Sequence, residues 1–151
     1  MKSGDVMTTG AATVRPDTSL GEAARIMLEH RISGLPVGDA DEKLVGIVTE
    51  RDFLRREDGE RPRWIDVLLS EANGQITARE LHDRRVEDVM SKDPISVGLE
   101  SPVDKLIELM ERHGVKRLPV VANGKVVGIV SRANLLMALM RKTGRIPDAK
   151  F

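Results

Sequence analysis

Apolar residues recur along this chain in two rhythms, a helical one and a strand-like one, and the pair of rhythms occurs twice. Behind Ser19, residues Leu20, Ala23, Ala24, Met27 and Leu28 stand at i, i+3, i+4, i+7 and i+8, which gives one apolar helical face. Ser19 and Glu22 have the spacing of a capping box at its start. Short apolar runs at 35–37 and 44–48, separated by the polar turn 39–43, predict two strands. A second helix is expected from Glu50, and a short extended piece at Thr13 and Val14 precedes the first. The later half repeats this order. Ser101 is the expected cap, Pro102 suits the first helical position, and Val103, Leu106, Ile107 and Met110 form the stripe. Asn123-Gly124 is a hairpin signal joining strands at 118–121 and 125–130. Each copy therefore reads β-α-β-β-α.

The repeat is also visible residue by residue. Asp5-Val6-Met7 returns as Asp88-Val89-Met90, and at that offset nine of the 33 positions from 5 to 37 are identical. Beyond Val37 the first copy is one residue longer, after which Val45-Gly46-Ile47-Val48-Thr49 matches Val127-Gly128-Ile129-Val130-Ser131. Residues 1–56 are read as the first copy, 88–143 as the second and 144–151 as a tail. Copies of about 50 residues are too small to be comfortable alone, so the two are expected to pack with pseudo-two-fold symmetry. Residues 57–87 belong to neither copy. Trp64, Ile65, Val67, Leu68 and Leu69 predict one short helix there, and the capping pattern from Thr77 to Glu80 a second, with Trp64 as an anchor on the body.

Composition narrows the function. The chain has 151 residues with 24 Lys+Arg against 24 Asp+Glu, a balance that disfavours a dedicated nucleic-acid or membrane-surface binder. Two Phe, one Trp and no Tyr make the core aliphatic and disfavour base stacking on aromatic platforms. The absence of cysteine removes disulfides, thiolate metal sites and a Cys nucleophile. No secretory pattern follows Met1, and the longest apolar run, from Leu135 to Met140, is six residues, so a cytoplasmic protein is expected. Charge is uneven within the zero total: residues 5–52 hold five basic and nine acidic groups, residues 88–139 seven and six.

Candidate chemistry lies where the last strand of each copy meets its last helix, at Gly46-Ile-Val-Thr-Glu-Arg-Asp52 and Gly128-Ile-Val-Ser-Arg-Ala-Asn134. One reading is local: Thr49 with Asp52 has the shape of a capping box, and the glycines mark close packing. The other reading uses the same geometry for a ligand. A helix N-terminus in a crevice suits phosphate, a cap hydroxyl adds a donor, and a carboxylate accepts from both hydroxyls of a ribose. No nucleophile elbow and no P-loop is present.

The duplicated order of Asp-Val-Met, a helix with Met and His, Leu-Pro-Val, and Gly-Ile-Val-[Thr/Ser]-x-x-[Asp/Asn] resembles a tandem CBS-domain pair, or Bateman module, of bacterial type, over residues 5–139. The resemblance implies an α+β fold of two β-α-β-β-α repeats joined by a helical connection, and a non-catalytic regulatory module. It implies adenosyl ligands in the cleft between the repeats, AMP, ADP or ATP and in some members NAD or S-adenosylmethionine, with no tightly bound cofactor, and signalling by conformational change. Carried over by position, Thr49 and Asp52 hold phosphate and ribose in one site, Ser131 and Asn134 in the other. Thr13, Val14, Leu35, Pro36 and Val37 line one base, and Ser96, Val97, Leu118, Pro119 and Val120 the other. Arg117 takes the place of a basic phosphate contact, and its counterpart is Gly34. Asn134 departs from the pattern: an amide oxygen cannot accept from both ribose hydroxyls as a carboxylate can, so Asp52 is expected to be the better ribose site. The alternative is a ligand-free interaction or dimerisation module.

His30 and His113 match in the repeat and are read as helix-end residues rather than metal ligands. The run from Leu135 to Met140 covers the whole circumference of a helix, so one face needs outside cover. A homodimer is expected there, with burial under the segment near Trp64 as the alternative; the basic tail is expected to be a solvated end.

Overall fold

The structure is a computed structural model that describes residues 1–10, 13–54 and 82–144. The expected helices around Trp64 and after Thr77 and the tail from residue 145 lie outside the described residues. Described elements run α1 (Ser3–Val6), β1 (Thr8–Thr9), α2 (Leu20–His30), β2 (Gly34–Gly38), β3 (Leu44–Thr49), α3 (Glu50–Leu54), a 3-10 turn (Val86–Asp88), β4 (Ser91–Lys92), α4 (Val103–His113), β5 (Arg117–Ala122), β6 (Lys125–Ser131) and α5 (Arg132–Thr143). The fold is α+β, with the two copies built alike. Among the described residues no helix is long and apolar enough to cross a membrane.

The compact units are not the two halves of the chain. One consists of residues 1–10 with 95–144, the other of 13–54 with 82–94. Each holds a three-stranded antiparallel sheet, β1-β6-β5 in one and β2-β3-β4 in the other. The Asp-Val-Met segment of the first copy thus supplies an edge strand to the body of the second, pairing Thr8 with Ile129 and Thr9 with Gly128. That of the second copy pairs Ser91 with Ile47 and Lys92 with Gly46 in the first body. The copy boundaries at 56 and 88 describe the repeat in the sequence, whereas compactness follows this exchange.

Asp-Val-Met performs three separate tasks. Asp5 Oδ2 accepts from the backbone N–H of Lys2 and Asp88 Oδ2 from that of Arg85, each at 2.9 Å, which closes the turn before the strand. Val6 is buried and Val89 packs on the core of its unit. The methionines lie against the glycines of the Gly-Ile-Val segments. A Cβ on Gly46 would stand 2.6 Å from Met90 Sδ and 2.9 Å from the Ser91 carbonyl oxygen; on Gly128 it would stand 2.6 Å from Met7 Sδ and 2.7 Å from the Thr8 carbonyl. Those glycines are required by close approach.

Each sheet continues through one parallel bridge, Val14 to Val37 and Val97 to Val120. The two cores are repeat-matched and aliphatic: Val14, Met27, Leu35, Val37 and Val48 in one, Val97, Met110, Leu118, Val120 and Val130 in the other. The span from Val37 to its partner Gly46 is one residue longer than that from Val120 to Gly128, and Asp39 Oδ1 organises its turn by accepting from the N–H groups of Asp41 and Lys43 at 2.9 and 3.0 Å. In β5-β6 the two-residue turn has positive φ at both Asn123 (53°) and Gly124 (80°), the backbone that Asn-Gly favours.

Two local expectations are corrected. Ser19 caps α2 through an acceptor bond from Glu22 N–H at 3.1 Å, but the Glu22 side chain pairs with Arg25 instead of completing the box. In α4 the cap position is Pro102, without a side-chain cap, and the Ser101 carbonyl instead accepts from Ser3 N–H and Ser3 Oγ at 2.8 and 3.1 Å. Ser3 is fully buried, at the place that Val86 fills in the other unit.

Gly46→Ala and Gly128→Ala should each destabilise the fold by about 1–3 kcal/mol, the range for overpacking. Adding Met90→Ala or Met7→Ala should recover only part of the loss in urea denaturation, because the carbonyl contact remains.

Candidate functional site

Each candidate site is assembled inside one unit from the end of a hairpin and the start of a helix. In the first, β3 ends at Thr49 opposite Gly34 of β2, and α3 begins at Glu50. In the second, β6 ends at Ser131 opposite Arg117 of β5, and α5 begins at Arg132. Glycine at 34 and arginine at 117 occupy the same register place beside the cap residue, so the two sites differ in charge at that point.

The cap side chains are arranged alike but are not used alike. Thr49 N–H donates to Asp52 Oδ2 at 2.7 Å and Thr49 Oγ1 to the same oxygen at 3.4 Å. Among the described residues no donor reaches Asp52 Oδ1. At the other site Ser131 N–H and Ser131 Oγ both donate to Asn134 Oδ1, each at 2.8 Å, and Asn134 N–H returns a bond to Ser131 Oγ at 3.3 Å. Asn134 Nδ2 donates to Thr8 Oγ1 at 3.0 Å. The first N–H of each helix is also engaged: Glu50 N–H bonds the Ser33 carbonyl at 3.1 Å and Arg132 N–H the Lys116 carbonyl at 3.3 Å. The helix starts therefore offer fewer unbonded N–H groups than an uncapped terminus.

Burial pushes the Asp52 carboxyl up from its ordinary range, and the Thr49 N–H and hydroxyl hold it back only in part.

The remaining sequence-derived residues fall into two groups. Val14, Leu35, Pro36, Val37, Val97, Leu118, Pro119 and Val120 are buried, six of them without exposed surface. Thr13 and Ser96 are exposed. The structure places Thr13 and Val14 beside β2 through Val14 N–H to the Pro36 carbonyl at 3.1 Å and Gly38 N–H to the Val14 carbonyl at 2.9 Å. Ser96 and Val97 stand beside β5 in the same way. His30 and His113 are the last residues of α2 and α4.

Sequence reasoning did not find Thr8. Its hydroxyl reaches the Asn134 side chain from the exchanged edge strand, and a hollow of about 490 Å³ is lined there by Asp5, Thr8, Asn134, Met137 and Arg141. The available signal was a hydroxyl residue directly behind Asp-Val-Met in both copies, Thr8 and Ser91.

A second feature lies on the helices of the same unit. A groove of about 680 Å³ runs between α4 and α5, lined by Met1, Val103, Ile107, Leu135, Leu136 and Leu139 among others. Leu136 is 61% exposed and Leu139 56%, both large values for leucine.

Because the folded state disfavours the Asp52 carboxylate, Asp52→Asn should raise stability at pH 7 while keeping the bond from Thr49 N–H. The raised carboxyl binds its proton more tightly folded than unfolded, so the parent loses stability as pH rises through this window. The difference from the variant should fade by about pH 3, below the ordinary Asp value of about 3.9, where the carboxyl is mostly neutral in both states. Urea denaturation at the two pH values measures it.

The family model for the CBS domain matches residues 4–59 and 86–141. The chain is 40% identical over 120 residues to an inosine-5'-monophosphate dehydrogenase of Korarchaeum cryptofilum, covering 79% of this chain and 20% of that protein. It thus spans about a fifth of that relative's length. Among solved structures it resembles the CBS domain of a CBS domain containing membrane protein from Sphaerobacter thermophilus, with a TM-score of 0.74 and 36% identity over 91% of this chain and 86% of that one. It also resembles CBSX2 of Arabidopsis thaliana in a complex with AMP, with a TM-score of 0.73 and 28% identity over 94% and 98%. Two matched repeats and a shared fold place this chain in the CBS-domain family, as a tandem pair.

Proposed function

We propose that this CBS pair binds an adenosyl nucleotide of the AMP, ADP or ATP class, with Asp52 as the ribose contact, and signals its occupancy by a change of conformation. The pair is regulatory and not catalytic. The observation that carries the reading is the division of labour within Asp52: Oδ2 closes the cap with Thr49, while Oδ1 has two lone pairs for the two hydroxyls of a ribose. Capping and ligand binding therefore use different oxygens of one carboxylate. The AMP complex of a relative with the same fold supports the ligand class.

In this reading the Thr49 hydroxyl faces the phosphate side, and the base meets the segment of Thr13, Val14, Leu35, Pro36 and Val37. Since the aliphatic side chains of that segment are buried in the core, the base contacts its backbone and the exposed Thr13. In the second copy Ser131, Asn134, Arg117, Ser96 and the strand from Leu118 to Val120 take the matching places. NAD and S-adenosylmethionine share the adenosyl part and are the next ligands to compare. A cytoplasmic location, where these nucleotides are turned over, goes with this reading.

A ligand shifts a conformational equilibrium only if it prefers one state; separately, any ligand that binds the folded chain and not the unfolded one raises the melting temperature by mass action. A thermal-shift screen of AMP, ADP, ATP, NAD and S-adenosylmethionine should give an upward shift with at least one of the first three. Asp52→Ala should weaken that ligand tenfold or more in calorimetry. No shift with any of the five would leave the ligand-free interaction module as the better reading.

The exposed leucines on α5 favour a homodimer through the groove with α4. Light scattering at micromolar concentration should give twice the chain mass, and Leu136→Lys with Leu139→Lys should give the single-chain mass with unchanged helix content.

A further inference from the structure

The two candidate sites differ by more than one substitution. At Asn134 all three kinds of polar atom already have partners within the unit. The two lone pairs of Oδ1 accept from Ser131 N–H and Ser131 Oγ, the backbone N–H bonds Ser131 Oγ, and Nδ2 bonds Thr8 Oγ1. A ribose diol brings two O–H donors, and no acceptor capacity is left for them on this side chain. At Asp52 one whole oxygen remains for that purpose among the described residues. Ser91 takes the register place of Thr8, pairing with Ile47 as Thr8 pairs with Ile129, but makes no matching bond to Asp52.

We infer that this pair has one working ribose site, at Asp52, and that Thr8 is a positioning residue that holds the second site closed by fixing the Asn134 amide. The inference rests on the adenosyl reading above and adds its stoichiometry. The Ser131 N–H, which can only donate, sets Oδ1 toward the cap, and the Thr8 hydroxyl ties the amino end to the edge strand. A flipped amide would set Nδ2 against the Ser131 N–H, donor against donor. The exchanged strand thus holds in place an amide whose orientation Ser131 sets.

Calorimetry with AMP on the full chain tests the inference. One AMP per chain is expected, weakened tenfold or more by Asp52→Ala. Asn134→Asp combined with Thr8→Val should give two AMP per chain, because the carboxylate then has one oxygen for Ser131 and one for the ligand. Two AMP in the parent, or a tenfold loss with Asn134→Ala, would overturn the inference and leave the adenosyl reading standing. Absence of AMP, ADP and ATP binding in the parent would overturn both. A second measurement needs no ligand: the side-chain amide NMR signals of Asn134 should shift and exchange faster with water in Thr8→Val. Unchanged signals would show that Thr8 fixes nothing.

Discussion

The approach of a methionine and the carbonyl behind it to an α-carbon without a side chain is the constraint on which both units depend. At Gly46 and Gly128 any Cβ would enter space held by Met90 and Met7 and by the carbonyl oxygens of Ser91 and Thr8. The contact brings an edge strand of two residues close enough to pair, which so short a strand could not do reliably through hydrogen bonds alone. Asp5 and Asp88 fix the turn before the strand, and Val6 and Val89 join the cores. A three-residue motif is in this way an anchor with an electrostatic, an apolar and a steric part.

The same strands place the candidate site groups. Thr8 reaches Asn134 while Met7, one residue earlier in the chain, packs its side chain on Gly128, the pairing partner of Thr9. The two copies thus share a scaffold and differ in the groups it presents: glycine against arginine beside the cap, carboxylate against amide within it. A capping residue and a ligand-binding residue need not be rival descriptions. A carboxylate has two oxygens, and helix capping uses one of them.

Much of this was legible in the sequence because it is written in periodicity. The stripe from Leu20 to Leu28, the Asn-Gly turn and the repeated Gly-Ile-Val runs each carry a backbone preference. The exchange of edge strands was not legible: Thr8 and Ile129 are 121 positions apart, two residues have no period, and identity between copies records their likeness but not which body each segment joins. Leu35 and Val37 illustrate another limit. An aliphatic run suits a base wall and a core equally, and only burial separates them. Ser101 failed as a cap because Pro102, fixed near φ −70°, took that position and the Ser101 carbonyl was engaged by Ser3. The connection around Trp64 lies outside the described residues.

The strand exchange also sets an order of completion as the chain leaves the ribosome. The unit containing Asp52 has all its strands once residue 94 has emerged. The other unit begins with the first ten residues and cannot pair them until Ile129 is made. At synthesis rates of about 5–20 residues per second, Val6 and Met7 stay without their partners for roughly 6 to 24 s. Throughout that interval two apolar side chains meant for a core stay open to other contacts.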